Sequence, residues 1–417
     1  MKKAFLTVGV VLILSIMLFT ACAPAQTAAP VNTVKTLKLG ALMPFTGGAA
    51  QWGLLMRPEM DVYADLINED GGIKVGNDTY KIEMHYIDDS FMPAPGAAGA
   101  RKLIYDEGVI AIVGYFSAGS AAVAGVTNPE KVIFIGRTGS GVNYNPDNDK
   151  YMIFGTPSAE NVAYQVVAAM KAFPNYKVIG WTAPEAARQA AAEAFDEMDK
   201  AIESRYGMKS YRVYYPEGTT NFTPYIVKMA ENGVDLVSSG GSVLEVALLA
   251  KQRWAEGYKW PIVQTGTLID PSTFISICGG VDAAQNVVSE RTVPWELKET
   301  KVSPKYIDMA KRIKARFEEK YGKPMVYMGC YGWGAHHMAM YLEAIQRAGT
   351  LDPDKVMETF RGGTFETFLG KYTLGGTQTY GAPVVFGHPG SVGIIKDKGE
   401  VYLGEHPMAD VDLWNKP

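Results

Sequence analysis

Short apolar runs of strand length alternate with longer amphipathic segments in the first third of the chain. The apolar runs cover residues 38–44, 81–89, 109–114 and 132–136. Apolar residues at helical spacing fill the segments between them, at residues 54–72, 93–108 and 117–130. Strand–helix alternation of this kind is typical of a parallel sheet with helices on both faces. This part of the sequence therefore predicts one doubly wound α/β sheet.

A second series of the same kind follows. Its apolar runs lie at residues 151–157, 176–183, 210–218, 234–241 and 260–266, and an amphipathic segment covers residues 243–257. Two such series exceed one comfortable core, so we predict two domains. Two more helical segments, at residues 303–322 and 332–349, come after the second series and suggest that the chain returns to the first domain. The tail, at residues 371–404, predicts short strands and glycine turns.

The N-terminal apolar run predicts export. It begins after Lys2 and Lys3 and reaches Ala21 without a charge, as in a secretory signal peptide. It ends in LFTAC, which resembles the lipobox of bacterial lipoproteins, although Phe19 stands where a leucine is usual. We therefore expect Cys22 to be acylated and to become the mature N-terminus, anchored by more than one acyl chain. A short membrane-spanning helix is the alternative, because the run is near the minimum spanning length.

Composition agrees with an exported globular body. The 417 residues are 47% hydrophobic and 20% charged. Removal of Lys2 and Lys3 leaves 38 basic against 44 acidic residues, a formal charge of −6. This balance gives no reason to expect a nucleic-acid partner. Cys278 and Cys330 are expected to be two buried thiols, although an exported protein could pair them.

The common catalytic motifs are absent from the sequence. There is no phosphate-binding loop of the GxxxxGK[ST] type, no HExxH zinc helix and no GxSxG elbow. His336 and His337 would point about 100° apart on a helix, so we expect a packed or surface position rather than a metal site. Asp88 and Asp89 end a strand, where capping a turn is favoured over acid–base catalysis. These features favour a binding protein without a cofactor or metal over an enzyme.

Loops that follow the strands offer hydroxyls and backbone N–H groups instead. Ligands of open α/β sheets bind beyond the carboxyl ends of the strands. Trp52 lies in a glycine-rich segment after the first strand, and residues 117–120 enter a helix whose free N–H groups suit a carboxylate. Residues 136–141 (GRTGSG) add Thr138 and Ser140. Each serine could simply cap a helix, but three such loops at one edge predict a small-molecule site.

These segments resemble the type I periplasmic solute-binding proteins of ABC importers, of the leucine/isoleucine/valine-binding kind. GALMPFTGGAAQWG, DLINEDGGI, DDSFMPAPGAAGARKLIYDEGVIAIVG and GKYTLGGTQTYG carry the resemblance, which runs over residues 36–404. It implies two doubly wound parallel-sheet lobes, three crossovers near Gly155, Glu290 and Leu369, and lobe closure on the solute. It also implies an ABC permease as partner, a monomer, and a membrane link through the lipid anchor. The expected boundaries are 1–21 for the signal peptide, 22–35 for the tether, 36–154 and 291–368 for lobe 1, 155–290 and 369–410 for lobe 2, and 411–417 for the tail.

The resemblance also implies which residues contact the solute. The family grips an amino-acid carboxylate through the loop that matches Ser117, Ala118, Gly119 and Ser120. Thr138 would supply a backbone contact and Ser140 a hydroxyl to the ammonium group. Trp52 and Tyr327 would pack against the solute side chain.

The far lobe departs from the family pattern. A glutamate that binds the ammonium group is replaced at about Gly266, and expected tyrosines fall at Ser242 and near Ala187. An ammonium group buried without its carboxylate partner loses a charge-assisted bond. A shift of the alignment by a few residues could instead bring Glu245 or Asp270 into the site. We therefore expect a small carboxylate with an apolar body, for example an aromatic one, with Arg137 and Arg188 as candidates for a second anion contact.

Three classes of function remain open from the sequence. The first is a lipid-anchored receptor that feeds an importer. The second is a sensor for a signalling partner, although no second membrane segment or cytoplasmic domain is present in the sequence. The third is an envelope enzyme, which would require a catalytic constellation or turnover of a bound compound.

Overall fold

The computed structural model describes residues 34–47, 49–115, 119–138, 144–157, 165–167, 169–170, 175–185, 187–264, 271–298, 301–386, 390–397 and 399–406. The strands of this part of the chain are β1 (Val34–Met43), β2 (Ile73–Val75), β3 (Asp78–Asp88), β4 (Ala111–Tyr115), β5 (Ile133–Thr138), β6 (Met152–Pro157), β7 (Val178–Pro184), β8 (Lys209–Tyr215), β9 (Leu236–Ser239), β10 (Ile262–Gln264), β11 (Val287–Glu290), β12 (Thr364–Thr367), β13 (Gly370–Gly375), β14 (Val385–Phe386), β15 (Gly390–Lys396) and β16 (Gly399–His406).

The helices lie between the strands, as the alternation predicts. They are α1 (Ala50–Glu69), α2 (Pro93–Tyr105), α3 (Ser120–Thr127), α4 (Ala187–Tyr206), α5 (Thr223–Glu231), α6 (Val243–Ala255), α7 (Pro271–Cys278), α8 (Val281–Ala284), α9 (Pro304–Tyr321), a π-helix (Met328–Trp333), α10 (Gly334–Ala348), α11 (Pro353–Gly362) and α12 (Thr377–Tyr380). Helix α1 ends before two glycines with positive φ. At Gly72 an added Cβ would lie 2.3 Å from the Tyr80 carbonyl oxygen, so no larger residue fits there without a shift.

The described strands form two sheets. The order is β12-β13-β14-β6-β5-β4-β1-β3-β2 in the first sheet and β16-β15-β11-β10-β9-β7-β8 in the second. In the first sheet β1, β4, β5 and β6 pair in parallel. In the second sheet β8, β7, β9, β10 and β11 pair in parallel. We call each sheet with its helices a lobe, the first lobe and the second lobe.

Helices pack on both faces of each sheet. In the first lobe, α1, α9 and α10 bury apolar side chains on one face, and α2 and α3 do so on the other. In the second lobe, α5, α6 and α7 cover one face, while α4 covers the other around Trp181. The predicted doubly wound α/β architecture is therefore confirmed.

One feature of the chain path differs from the prediction. The sequence predicts that the chain enters the second lobe for the last time near Leu369, but β13 and β14 belong to the first sheet. Leu374 pairs with Phe386, and Val385 pairs in parallel with Phe154 of β6. All of these side chains are buried, so the apolar core of the first lobe holds the two strands there. The final crossing therefore follows Phe386, and β15 and β16 then join the second sheet.

None of the helices in the described part of the chain is both long enough and apolar enough to span a membrane.

Candidate functional site

The carboxyl ends of the parallel strands in both lobes mark the candidate site. Several predicted contacts there lie outside the described residues, namely Ser117, Ala118, Ser140, Gly266 and Asp270, as does the predicted lipid-attachment residue Cys22. The backbone of Arg137 and Thr138 forms the end of β5, where Thr138 pairs with Pro157 of β6. Their side chains also lie outside the described residues.

The start of α3 lies directly beyond β4. Gly119 precedes the helix and is buried, and its carbonyl accepts the first intrahelical hydrogen bond, from Val123 N–H at 3.1 Å. No side chain of the described residues caps this helix start. A Cβ at Gly119 would lie 2.5 Å from Pro93 Cα, so glycine allows α3 to begin against the start of α2. The first-turn N–H groups after Gly119, beginning with the half-buried Ser120, are thus available in principle for an anion.

Asp88 organises the loop that follows β1. Its Oδ1 accepts hydrogen bonds from the backbone N–H groups of Phe45, at 2.8 Å, and Ser90, at 2.9 Å. Its Oδ2 accepts one from the Thr46 hydroxyl, at 2.6 Å. Burial alone would raise the pKa of Asp88, but these hydrogen bonds outweigh it and lower the pKa.

Asp89 caps the other side of the same turn. Its Oδ1 accepts from the Phe91 N–H at 2.9 Å, and Ser90 and Phe91 both have positive φ, at 50° and 60°. The two carboxylates therefore hold a backbone conformation that is unfavourable for residues other than glycine. The predicted turn-capping role of Asp88 and Asp89 is confirmed.

Trp52 lies in the first turn of α1 and is half-buried. Its ring meets that of Trp333 edge to face, with centroids 5.3 Å apart. The next residue, Gly53, lets α1 approach the loop after β1, because a Cβ there would lie 2.1 Å from the Pro44 carbonyl oxygen. Trp52 is thus fixed beside the loop that Asp88 organises.

Tyr327 precedes the π-helix and is also half-buried. Its ring stacks on that of Tyr331 at a centroid distance of 6.2 Å and meets Trp295 edge to face at 5.7 Å. Burial raises its pKa, which the nearby Lys314 lowers in part. Tyr327 and Trp52 therefore both pack against the first-lobe core.

Ser242 has a clear structural role at the start of α6. Its hydroxyl accepts from the Glu245 N–H at 3.3 Å, while Glu245 Oε2 accepts from the Ser242 N–H at 2.8 Å. This reciprocal pair is a capping box. Glu245 Oε1 also accepts from the Gly218 N–H at 3.3 Å. Both residues are therefore engaged in holding the helix, and a solute would have to compete with these bonds.

Arg188 is exposed and held locally. Its Nε lies 2.6 Å from Glu185 Oε1, and its guanidinium lies 4.3 Å from the centre of the Tyr214 ring. A second anion at Arg188 would therefore meet a cation that Glu185 already neutralises.

Sequence analysis missed a row of buried polar side chains where the second-sheet strands end. They are Thr182, Ser239, Gln264 and Glu290. Ser239 is in register with Thr182 on one side and Gln264 on the other. The Thr182 hydroxyl donates to Ser239 Oγ at 3.0 Å. Each lies at or near the end of an apolar strand. A polar residue at the end of an apolar run is visible in the sequence and could have indicated these positions.

Glu290 provides the acidic member of this row. Its Oε2 accepts from Gln165 Nε2 at 2.9 Å, and its Oε1 lies 3.4 Å from the Thr292 hydroxyl, which donates to it. Gln264 Oε1 makes no hydrogen bond within the described residues and is buried. At this edge the second lobe thus presents neutral hydrogen-bonding groups together with the Glu245 and Glu290 carboxylates, which already accept hydrogen bonds.

The two adjacent histidines and the two cysteines considered in the sequence all lie in the apolar cores. His336 and His337 lie in α10 and are fully buried, with the His336 ring 4.5 Å from that of Phe386. The described residues contain no group of three potential ligands suited to a metal ion. Cys278 and Cys330 are free and buried, as predicted. Burial raises the pKa of Cys278 to about 12.

Comparison with known proteins agrees with this architecture. A leucine-, isoleucine-, valine-, threonine- and alanine-binding protein from Pseudomonas aeruginosa is 25% identical over 85% of this chain and 89% of its own length. A leucine-binding protein from Thermotoga maritima has a similar fold, with a TM-score of 0.66, 20% identity, and coverage of 89% of this chain and 99% of that chain.

A solute-binding protein of an ABC transporter from Rhodopseudomonas palustris, in complex with 3,4-dihydroxybenzoic acid, has the same fold. Its TM-score is 0.66, at 20% identity, over 90% of this chain and 98% of that chain. The sequence model of the family described as "Periplasmic binding protein" matches residues 36–385. That match spans most of the chain and both sheets, and so this chain belongs to the periplasmic binding protein family, with the type I fold.

Proposed function

We propose that this protein is the solute receptor of an ABC importer and that it binds a small carboxylate-bearing compound, either an amino acid or a related organic or aromatic acid. Its homologues are solute-binding proteins. The observation that carries the proposal is the start of α3, placed at the carboxyl end of β4 with no side-chain cap among the described residues. A helix start of this kind favours an anion through its N–H groups and its dipole.

The first lobe would hold the carboxylate and the apolar body of the solute. The loop at residues 117–120 would supply N–H groups and the Ser117 hydroxyl, and Ser140 would add another hydroxyl. Trp52 would pack on the body of the solute, since its ring is already fixed against Trp333. An aromatic acid would gain an additional ring–ring contact of about 0.5–1.5 kcal/mol.

The proposed choice between an amino acid and an acid without an amine rests on the polar side chains of the second lobe. The ammonium group of an amino acid needs a carboxylate, and among the described residues Glu245 and Glu290 are buried acids at this edge. The Glu245 oxygens already accept hydrogen bonds from the backbone N–H groups of Ser242 and Gly218. Both Glu290 oxygens already accept hydrogen bonds, from Gln165 and Thr292. Gln264, Ser239 and Thr182 are neutral and would suit hydroxyl groups better than a cation. We therefore favour a carboxylate with an apolar or aromatic body over an aliphatic amino acid.

Among the relatives, both ligand classes are represented. The P. aeruginosa protein is named for leucine, isoleucine, valine, threonine and alanine, and the R. palustris protein is in complex with 3,4-dihydroxybenzoic acid. Native mass spectrometry of the protein, purified without denaturation, tests the proposal. A co-purifying acid of low mass would support it. Turnover of that compound by the protein would contradict a pure receptor role.

The cell envelope is the proposed location, in the periplasm or at the outer face of the cytoplasmic membrane. Export follows from family membership, and we propose acylation at Cys22 as the anchor. A Cys22→Ala variant should remain unprocessed or be released from the membrane. A variant that is fully cleaved and still anchored would contradict the lipoprotein assignment.

A further inference from the structure

The chain leaves the second lobe for the first at Arg291, the residue after β11. Beside it lies β15, the strand with which the chain re-enters the second sheet. The Arg291 N–H donates to the Ser391 carbonyl at 2.9 Å, and the Ser391 hydroxyl donates to the Arg291 carbonyl. Ser391 lies in β15, so the backbone at the start of this crossing is bonded to the second sheet.

The guanidinium of Arg291 contacts two carboxylates, those of Glu296 and Glu400. Its Nε and one terminal nitrogen donate to Glu296 at 2.8 and 2.9 Å, a two-point contact. Its other terminal nitrogen donates to Glu400 Oε2 at 2.8 Å. Arginine is suited to this geometry because its donors form a rigid planar fork.

The two carboxylates belong to different lobes. Glu296 lies between Trp295 and Leu297, which both pack in the first-lobe core. Glu400 lies on β16 of the second sheet, where the Ser289 hydroxyl donates to its Oε1 at 2.7 Å. Glu296 is therefore flanked by residues that pack in the first-lobe core, whereas Glu400 belongs to the second sheet.

Burial strengthens the ion pair between Arg291 and Glu400. The Arg291 and Glu400 side chains are 17% and 8% exposed, so solvent screens their interaction only weakly. Burial alone would lower the pKa of Arg291, but its bonds to Glu296 and its attraction to Glu400 outweigh this and raise it. Glu400, by contrast, would remain buried without a cation if Arg291 were removed.

We propose that Arg291 is a positioning residue for solute binding: by bridging Glu296 and Glu400 at the start of the crossing that follows β11, it restricts the relative orientation of the lobes. The proposal rests on the proposed function, since it assumes that the lobes close on a solute. A rotation at the crossings changes the distance between the two carboxylates, and one guanidinium can bridge them only within a narrow range of that distance. The bridge therefore favours the lobe arrangement in which both bonds are made.

A matched control exists within the second lobe. Arg212 also bridges two carboxylates, with its Nε 3.0 Å from Asp199 and a terminal nitrogen 2.7 Å from Asp196. All three residues lie on β8 and α4, and the Arg212 side chain is 27% exposed. An Arg212→Met variant thus removes the same chemistry without touching the crossings.

The test measures lobe orientation directly and without a solute. Lys102 on α2 and Lys228 on α5 are both exposed and can be replaced by cysteines that carry spin labels. Pulsed electron paramagnetic resonance then measures the distance between the two labels, one on each lobe. Arg291→Met and Arg291→Lys should both broaden or shift the distance distribution, because methionine bridges neither acid and lysine cannot make the two-point contact. Arg212→Met should leave the distribution as in the unsubstituted protein. An unchanged distribution in Arg291→Met, with an intact circular dichroism spectrum, would overturn the proposal.

Calorimetric titration with 3,4-dihydroxybenzoate and L-leucine supplies the second readout. The dissociation constant of whichever probe binds should change by roughly 2- to 30-fold in Arg291→Met. If both bind, their ratio should stay constant, because Arg291 acts through the crossings and not by contact. A changed ratio would overturn the positioning role. If neither probe binds the unsubstituted protein, the proposed solute class is wrong, while the distance measurement still decides the role of Arg291.

Discussion

Glu59 is a buried acid in the first-lobe core, and its neutralisation should stabilise the protein in a pH-dependent way. The residue lies in α1 and has no exposed surface. Burial raises its pKa well above the ordinary value of 4.5, and the Val326 N–H and the Lys323 charge offset this only in part. Glu59→Gln keeps the shape of the side chain and removes the ionisation.

The magnitude follows from proton linkage. The folded protein holds the Glu59 proton to higher pH than the unfolded chain, so the stability contributed by the acid is complete below about pH 4.5 and falls as the pH rises. The loss approaches about 1.4 kcal/mol per pH unit until the folded-state pKa is reached. The Gln variant does not share this loss. Its free energy of unfolding relative to the unsubstituted protein should therefore rise by at least about 1 kcal/mol between pH 5 and pH 7.

Denaturant unfolding at a series of pH values, followed by circular dichroism, measures this difference. Glu69→Gln is the control, because Glu69 ends the same helix but is exposed and pairs with Arg316 at 2.7 Å. The hydrogen bond from Arg316 lowers the pKa of Glu69, so its contribution has the opposite sign and is lost as the pH falls. A Glu59→Gln difference that is constant with pH, or that decreases as the pH rises, would refute the reasoning.

Three further predictions concern the site. Asp88→Ala should lower the free energy of unfolding by about 2–3 kcal/mol, because three hydrogen bonds to a charged group are lost. Asp65→Ala, which removes an exposed ion pair with Lys320, should cost less than about 1 kcal/mol; urea unfolding compares them. Ser242→Ala should cost about 1 kcal/mol through loss of a helix cap and leave solute affinity unchanged in calorimetry, and a large loss of affinity would show that Ser242 contacts the solute as well as capping the helix. Trp52→Ala should weaken binding of an aromatic acid by about tenfold or more, while Trp52→Phe should retain most of the affinity; equal affinity in all three proteins would exclude Trp52 from the site.

The alternation of strands and helices predicted the fold because both signals are local. Helical spacing in α1 and the buried run of β4 each fit one element type, and the glycines at residues 71–72 mark where α1 ends. By contrast, no local signal predicts the sheet to which β13 and β14 belong. Their sheet membership depends on pairing between Val385 and Phe154, which are distant in sequence, and nothing near either residue reveals it.

The site was harder to predict than the fold. Asp88 and Asp89 were correctly interpreted, because capping a turn after a strand is a local property. Ser242 was predicted from family position alone, although the spacing of Ser242 and Glu245 is that of a capping box. Gln264 and Glu290 were not predicted, because each is the last residue of an apolar strand and not part of the loop beyond it.

Calorimetric titration of the ligand-stripped protein tests the central claim, that the site binds a small carboxylate, most directly. The panel is L-leucine, L-phenylalanine, their deaminated acids, and 3,4-dihydroxybenzoate. We predict that at least one acid without an amine binds with a dissociation constant of about 1 μM or lower, which corresponds to about −8 kcal/mol. We also predict that the matching amino acid binds more weakly by about tenfold or more, because its ammonium group lacks a free carboxylate partner. Leucine binding at micromolar affinity while every amine-free acid fails to bind would contradict this claim.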